Sequence, residues 1–404
     1  MILGIAEIII GGMIFDWLAR RTKAPGLLGL LLLGILFGPF ALNLIEPGIY
    51  KVASDLRMIA LVVILFRAGF EMNRKSLQQV GSQAVMIAFI PCLCEIGAVT
   101  LAAPLLLPLS TLEAAMLGSV LAAVSPAVVV PYMIKFSREG LGTNKGIPTL
   151  VLAGAACDDA VAIILCSALT AVYTGTTVNT WTKIGSIPIS IVTGITAGLA
   201  MGYLLYRFFK LANPRATKRL LTILALAIIL ISAQQHIENW IPYSALMTIL
   251  TIGIIIYEVD ARAAREISDK LNKLWIFAQL LLFVLVGAQV DIKIAWSAGA
   301  AGCAIILIGL LGRTTAVFLC LIGSQFNKKE RLFVALSYLP KATVQAAIGA
   351  VPLAAMAAAK MDTGPGELIL AVAVLSIITT APLGAFLINA GGKRLLTTHK
   401  IIKS

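Results

Sequence analysis

The chain alternates between long apolar stretches and short polar connections. A membrane-spanning helix needs roughly 20 consecutive apolar residues, and the spacing of these stretches predicts thirteen such segments. Their approximate bounds are 2–18, 26–43, 54–71, 78–104, 112–134, 146–174, 183–208, 217–235, 242–257, 272–289, 295–323, 331–358 and 366–390. The pattern therefore predicts an all-α polytopic membrane protein with about 13 transmembrane helices.

The composition agrees with this interpretation. Of the 404 residues, 59% are hydrophobic and 13% are charged, whereas soluble domains have about 45–50% and about 25%. These values exclude a soluble enzyme, a disordered chain and a fibrous protein. The chain has six cysteines, all within apolar stretches, and two histidines, so we predict neither a disulfide framework nor a cluster of metal ligands.

Basic residues are distributed unevenly between the two sides of the predicted membrane. Most of the 32 lysines and arginines lie in the loops that follow the odd-numbered segments or in the C-terminal tail. Cytoplasmic loops are the ones enriched in Lys and Arg. We therefore expect a multi-pass protein of the plasma or inner membrane with its N-terminus outside and its C-terminus in the cytoplasm. The same bias explains the net charge of +13 without a nucleic-acid partner.

Four features recur at nearly one shift along the chain. The pairs are Pro25 and Pro242, Gly34 and Gly253, Gly69 and Gly287, and Pro126 and Pro340, at shifts of 217, 219, 218 and 214 residues. The shift spans seven predicted segments, an odd number, so the second unit enters the membrane upside down. Inverted repeats are typical of secondary transporters, whose binding sites lie near mid-membrane between the repeats.

The repeat suggests a division of the chain into five parts. We predict an extra N-terminal helix, a first repeat, linker helices, a second repeat and a cytoplasmic tail, over residues 1–25, 26–174, 175–241, 242–391 and 392–404.

Two adjacent aspartates, Asp158 and Asp159, fall near the middle of the sixth segment. An ionisable group at that depth costs roughly 2.5–3.5 kcal/mol on insertion scales, so it indicates a functional site. Neighbouring residues on a helix point about 100° apart, so both carboxylates can border one cavity and hold a proton or a small cation. The alternative is a structural pair neutralised by fixed basic partners.

Proline interrupts the fifth and twelfth segments at mid-depth. The first interruption contains Ser125-Pro126, and the second contains Pro340-Lys341 followed by Thr343. Proline removes a backbone donor, so helices often break there and present carbonyls to a cation. A plain proline kink is the alternative at either place. Lys341 is predicted either to compensate a negative half-helix end or to sense the protonation of the aspartates.

Three further charged residues lie within apolar segments. Glu95 and Arg313 fall at similar depth, which favours an embedded ion pair with a structural role. Arg67 lies near the inner end of its segment, where it is expected either to extend its charge to the interface or to join Glu95.

Three strings carry a resemblance to a known family. They are Val124-Ser-Pro-Ala-Val-Val-Val-Pro131, Cys157-Asp-Asp-Ala160 and Leu339-Pro-Lys-Ala-Thr-Val-Gln-Ala-Ala-Ile348. With them the chain resembles the sodium/proton antiporters of the NHA type, within the cation:proton antiporter superfamily. The resemblance implies a homodimer with a six-helix core in which two broken helices cross. It also implies exchange of Na⁺ or Li⁺ for H⁺ by an elevator-like movement.

The resemblance assigns roles to single residues. Asp159 matches the essential carrier of cation and proton and Asp158 its acidic neighbour; Ser125 and Pro126 match the first crossover, Lys341 and Thr343 the second, and Glu95 and Arg313 the ion pair. Electrogenic bacterial relatives carry a lysine, paired with the first aspartate, on the segment that here contains Arg313. Arginine does not readily release its proton, so this difference argues against an electrogenic stoichiometry. The early first segment suggests a prokaryotic member.

Three other functions fit parts of the pattern. A potassium/proton antiporter of the same superfamily commonly has Gln-Asp or Asn-Asp at the aspartate pair, and often a soluble nucleotide-binding tail that we do not expect here. An ion channel would use the midplane charges for selectivity. An intramembrane hydrolase would need facing carboxylates, which neighbours on one helix do not readily supply. We expect no cofactor, and membrane lipids as the other partners.

Overall fold

The computed structural model describes residues 2–21, 26–72, 74–175, 180–238, 240–289 and 292–397. These ranges contain α-helices, one short 3-10 turn at Thr143–Lys145 and no β-strand. The helices are α1 (Ile2–Arg21), α2 (Gly26–Phe37), α3 (Pro47–Glu71), α4 (Arg74–Leu106), α5 (Thr111–Leu121), α6 (Pro126–Glu139), α7 (Ile147–Tyr173), α8 (Thr180–Ala212), α9 (Ala216–Glu238), α10 (Ala245–Val259), α11 (Ala261–Gly287), α12 (Ile292–Cys320), α13 (Lys328–Ser337), α14 (Thr343–Ile348), α15 (Val351–Ala358) and α16 (Gly364–Leu395).

The predicted segments overlap these helices, and the all-α class is confirmed. Seven helical stretches among the described residues are long and apolar enough to cross a membrane, so the number of thirteen crossings stays a prediction. One predicted bound is wrong. The second segment was expected to reach residue 43, but α2 ends at Phe37 before a turn that contains Pro39, because proline cannot continue a helix. The last helix ends at Leu395, and the start of the cytoplasmic tail at residue 392 stays a prediction.

The helices form two groups according to their contacts. The first, which we call the core group, contains α4–α7 and α12–α16; the second, the scaffold group, contains α1–α3 and α8–α11. The two groups meet where α3, α8, α10 and α11 pack against α6, α7 and α14. Each predicted repeat contributes helices to both groups.

The scaffold group shows contacts that are exchanged by the sequence repeat. Gly34 of α2 packs against Gly287 of α11, and Gly69 of α3 packs against Gly253 of α10. Gly34 and Gly253 are 219 residues apart and Gly69 and Gly287 are 218 apart, so each glycine has its repeat equivalent in the other contact. One contact therefore becomes the other when the repeats are interchanged, as expected for two units related by a two-fold axis.

The core group shows the same relation. The helical backbone is interrupted at Gly81 in α4 and at Gly299 in α12, which are 218 residues apart. A capping box begins α5 at Ser110, and another begins α13 at Asn327. The repeat is therefore visible in local structure as well as in composition.

One predicted repeat pair is wrong. Pro126 is the first residue of α6, whereas Pro340 lies inside the second break, before α14 begins. The residue 218 positions after Ser125 is Thr343, and these two contact each other. The shift of 218 takes Pro126 to Val344 of α14, so Pro340 is not its repeat equivalent. Pro25, a member of the first repeat pair, lies outside the described residues.

Close helix packing at Gly69 leads to a test of the scaffold. A methyl group added there would lie 2.5 Å from Leu250 O and 3.1 Å from Gly253 Cα. We expect Gly69→Ala to destabilise the protein by about 1–3 kcal/mol, because backbone on the opposite helix has no room to move. Thermal unfolding in detergent measures this. Gly97→Ala is the matched control, since nothing lies within 4 Å of its added methyl group; equal unfolding temperatures for the two variants would contradict the prediction.

Candidate functional site

Two broken helices meet at the centre of the core group. The first break separates α5 from α6 at residues 122–125, and the second separates α13 from α14 at residues 338–342. The backbone N–H of Ser125 donates to Pro340 O at 2.9 Å. The hydroxyl oxygens of Ser125 and Thr343 lie 3.3 Å apart, and the N–H of Thr343 donates to Ser125 Oγ at 3.3 Å. The structure therefore brings the predicted crossover residues together.

The local sequence explains why the chain breaks there. Pro126 occupies the first turn of α6, where its missing N–H leaves no hydrogen bond unmade. Ser125 before it has extended backbone angles, as the residue before a proline prefers. In the second break Pro340 has no N–H to give, and the next N–H, that of Lys341, donates to Thr380 Oγ1 of α16 at 2.9 Å.

Asp158 of α7 is bound to the first break and to α12. Its Oδ2 accepts hydrogen bonds from the backbone N–H of Val124 at 3.1 Å and from Arg313 at 2.9 Å. Its Oδ1 accepts a second guanidinium bond at 3.4 Å. The side chain is fully buried, so the guanidinium supplies the countercharge that a buried carboxylate requires.

Asp159, the next residue, has a different environment. The residue is 1% exposed, and neither carboxylate oxygen has a hydrogen-bond partner within the part of the chain that the structure describes. The great majority of buried side-chain polar atoms are hydrogen-bonded, and each exception requires an explanation. The carboxylate of Asp159 is therefore a buried group at the crossing that accepts no hydrogen bond from the described residues.

Four charged side chains form one buried network. Arg313 Nε donates to Glu95 Oε2, Lys341 Nζ donates to the same oxygen at 2.7 Å, and Arg313 also binds Asp158. Each of the four is at most 1% exposed. Two carboxylates face two basic groups, so the network carries no net charge when all four are ionised.

The network contains the predicted ion pair but is larger than predicted. Glu95 and Arg313 do contact each other, and they are 218 residues apart, which is the repeat shift. Their similar depth was the basis of the prediction, and the repeat shift is a second signal that the sequence contained. The links from Arg313 to Asp158 and from Lys341 to Glu95 carried no such signal, because they depend on how α4, α7 and α12 pack.

Arg67 does not take the place suggested for it. Its Nε donates to Asn272 Oδ1 of α11 at 2.9 Å, and its guanidinium lies 5.4 Å from the ring centre of Trp275. The basic partners of Glu95 in the structure are Arg313 and Lys341. The expectation that Arg67 joins Glu95 is therefore corrected: its neighbours belong to the scaffold group.

Sequence reasoning missed the residues that anchor the broken helices at the ends remote from the crossing. Glu113 closes the capping box of α5 and accepts a hydrogen bond from Tyr173 Oη at 2.5 Å. Glu330 closes the box of α13, pairs with Lys145 Nζ at 2.7 Å and accepts a bond from Thr397 at 3.1 Å. The Ser-x-x-Glu and Asn-x-x-Glu patterns were the available signals.

Gln345 is a second missed residue at the crossing. Its side chain forms hydrogen bonds with backbone groups of both breaks.

Among the described residues no group of three or more His, Cys, Asp or Glu side chains is placed to hold a metal ion together. The side chain of Cys157 lies outside the described residues.

The chain matches a known family over most of its length. Residues 7–389 match the family described as "Sodium/hydrogen exchanger, transmembrane". Sodium/hydrogen exchanger 9B2 from Xenopus tropicalis is 34% identical over 378 residues, which cover 92% of this chain and 69% of that protein. The human protein of the same name is 33% identical over 397 residues, covering 96% and 73%. Human sodium/hydrogen exchanger 9B1 is 31% identical over 404 residues, covering 97% and 76%.

The fold is similar to that of a solved archaeal protein. The structure of the sodium proton antiporter MjNhaP1 from Methanocaldococcus jannaschii at pH 8 superposes with a TM-score of 0.80. The match covers 98% of this chain and 99% of that one at 21% sequence identity. At this identity the likeness supports the fold alone.

Proposed function

Because the chain belongs to the sodium/hydrogen exchanger family, we propose that it exchanges Na⁺ or Li⁺ for H⁺ across a membrane, with Asp159 as the group for which cation and proton compete. The observation that carries this proposal is the fully buried carboxylate of Asp159, which has no hydrogen-bond partner among the described residues. A desolvated carboxylate without protein partners gains from binding either a proton or a small cation. Binding of one excludes the other, which is the requirement for coupled exchange.

The remaining site residues receive supporting roles in this proposal. Ser125 and Thr343 contribute hydroxyl oxygens at the crossing, and Pro126 sets the direction in which α6 begins. Asp158, predicted as a joint carrier, is proposed instead to hold the first break and Arg313 in place, because its oxygens already accept three hydrogen bonds. Glu95, Arg313 and Lys341 complete the neutral network around it.

The movement that alternates access is proposed to be an elevator-like shift of the core group against the scaffold group. The division of contacts between the groups supports this, since the crossing and its charges belong entirely to the core group. Large apolar side chains such as Leu3, Ile10 and Trp17 of α1 are exposed, which suits contact with lipid or with a second copy. We propose a homodimer joined through the scaffold group, with the C-terminus in the cytoplasm of a plasma or inner membrane.

The charge balance of the site leads to a prediction about stoichiometry. The four-residue network sums to zero, which leaves Asp159 as the one uncompensated charge among the buried groups at the crossing. One cation or one proton neutralises it. We therefore expect an exchange of one cation for one proton, so that imposing a membrane potential leaves the initial rate unchanged. A rate that rises or falls systematically with potential would show that a second group exchanges protons.

Proteoliposomes with a preset pH gradient provide the test of the proposal as a whole. Addition of Na⁺ or Li⁺ should dissipate the gradient with saturable kinetics, with the potential clamped by K⁺ and valinomycin or left unclamped. K⁺ is assayed separately, with a permeant anion. A response to K⁺ alone would favour a potassium/proton antiporter. No response to any of the three cations, from protein that is monodisperse and folded, would refute cation/proton exchange.

A further inference from the structure

The carboxamide of Gln345 connects the two breaks. The side chain is fully buried in α14. Its Oε1 accepts a hydrogen bond from the N–H of Ala342 at 2.8 Å, in the second break. Its Nε2 donates to Ala123 O at 2.7 Å and to Leu121 O at 3.3 Å, in the first. Since an N–H requires an acceptor and carbonyls require donors, this orientation of the amide is the one that satisfies all three groups.

The two carbonyls that Gln345 binds are of the kind that attract cations. Leu121 is the last residue of α5 and Ala123 lies just beyond it. The last carbonyls of a helix have no partner within the helix and carry the negative end of its dipole. In broken membrane helices such carbonyls coordinate alkali ions. Here a protein N–H group occupies them.

Asp158 and Gln345 hold the same peptide unit from opposite sides. The Ala123 carbonyl accepts from Gln345, and the Val124 N–H of that peptide donates to Asp158. In a trans peptide these two groups point in opposite directions. The carbonyl of Ala123 is therefore held turned away from the carboxylate of Asp158, on the side of the peptide where Gln345 lies.

We infer that Gln345 is a positioning residue that sets the cation preference of the site. It does so by keeping the carbonyls of Leu121 and Ala123, called the α5 carbonyls below, out of the ion's coordination shell. This inference rests on the proposed function, because it concerns the cation that binds beside Asp159. With the carbonyls withheld, the ion is left with fewer protein oxygens. Ligand number and cavity size discriminate between ions of different radius, so a small oxygen set favours the smaller ion, Li⁺, relative to Na⁺.

The experiment compares two substitutions at Gln345 that remove the donor in different ways. Gln345→Met has similar length but neither donates nor accepts. Gln345→Glu keeps the acceptor toward Ala342 N; its protonated form retains one donor for Ala123 O, and its ionised form retains none. In both variants the released carbonyls should shift the ratio of apparent KM values, Na⁺ over Li⁺, in favour of Na⁺ by about tenfold, equivalent to about 1.4 kcal/mol. In Gln345→Glu the shift should develop as the pH rises and should be absent where the glutamate is protonated.

Thr380→Val is the matched control. Thr380 accepts from the N–H of Lys341, the residue before Ala342, but its hydroxyl donates to Ser376 O within its own helix and to neither α5 carbonyl. This variant should lower the rate and the thermal stability while the KM ratio for Na⁺ and Li⁺ stays as in the unmodified protein. It therefore reports the effect of loosening the second break alone.

The outcomes separate this inference from the proposed function. If the unmodified protein shows no Na⁺ or Li⁺ exchange, the proposed function fails. If it exchanges both ions but the KM ratio in the Gln345 variants equals that of Thr380→Val, Gln345 has only a structural role and the inference is overturned. If Gln345→Met does not yield monodisperse protein, the test is made with Gln345→Glu alone. That variant keeps the hydrogen bond from the N–H of Ala342 to the side chain at position 345, at the start of α14.

Discussion

Asp159→Asn should abolish cation-dependent proton movement in proteoliposomes while the protein remains folded. Asparagine has nearly the shape of aspartate but neither takes up a proton nor supplies the negative charge that a cation needs at a buried site. Because cation and proton compete for Asp159 in the proposed exchange, we expect the exchange rate to fall by at least about 100-fold. This is the lower end of what positioned proton-transfer groups contribute. The measurement is the initial rate of pH change on addition of Na⁺ or Li⁺.

The same substitution should not lower stability. The carboxylate oxygens of Asp159 have no hydrogen-bond partner among the described residues, so removing the charge breaks no bond and ends the cost of burying it. We expect the unfolding temperature in detergent to stay equal or rise, and the response of that temperature to Na⁺ to disappear. Asp269→Asn is the control, since this exposed aspartate of α11 lies away from the crossing. Exchange retained in Asp159→Asn at the rate of that control would refute the role of Asp159.

Arg313→Ala should cause the largest loss of stability of any single substitution at the site. The guanidinium binds Glu95 and Asp158 together, and all three side chains are buried. Removing one partner of a buried ion pair typically costs about 3–5 kcal/mol, because the remaining charge is left uncompensated. Lys341 still pairs with Glu95, so Asp158 is the carboxylate that loses the basic side chain with which it forms an ion pair among the described residues. Thermal unfolding in detergent measures the loss of stability, followed either by a thiol-reactive fluorescent dye or by aggregation.

Two further variants show whether the charge of Arg313 or the planar geometry of its guanidinium is responsible for the stability. Arg313→Lys retains the charge but lacks the planar fork that contacts both carboxylates, so we expect an intermediate loss of stability. Arg262→Ala removes an arginine whose side chain is 92% exposed and should have little effect, as for surface pairs in general. If Arg313→Ala unfolded at the temperature of the unmodified protein but no longer exchanged ions, the network would belong to the transport step rather than to the stability of the core group.

The apolar pattern was sufficient to predict the all-helical class and the places of the two breaks. Long apolar stretches must form helices in a membrane, because every backbone group has to be satisfied within its own segment. Proline at mid-segment favours a break or a kink, so Ser125-Pro126 and Pro340-Lys341 indicated where the breaks lie. Pro91 of α4 and Pro382 of α16 lie inside helices, so proline by itself did not decide between a break and a kink. The end of α2 at Phe37 was missed, because an apolar turn and an apolar helix have the same composition.

The repeat shift accounts for two contacts that the sequence analysis reached by other arguments, the similar depth of an ion pair and the resemblance at the crossover. Ser125 with Thr343 and Glu95 with Arg313 are each separated by 218 residues, and each pair meets where repeat-related helices face each other. Residues close to a two-fold axis contact their own equivalents, so a shift found in the sequence carries information about space. The erroneous pairing of Pro126 with Pro340 shows the limit, since a shared residue type without the common shift was misleading.

The sequence by itself determined which residues are costly to bury, and hence that Asp158, Asp159, Glu95, Arg313 and Lys341 require an explanation. Only the tertiary structure decided how that cost is met. Packing of α4, α7 and α12 directs Asp158 to Arg313 and leaves Asp159 without a hydrogen-bond partner among the described residues. The crossing brings Gln345 to the carbonyls of Leu121 and Ala123. Two adjacent aspartates are chemically alike in the chain; they differ because neighbouring residues on a helix point about 100° apart and so face different helices.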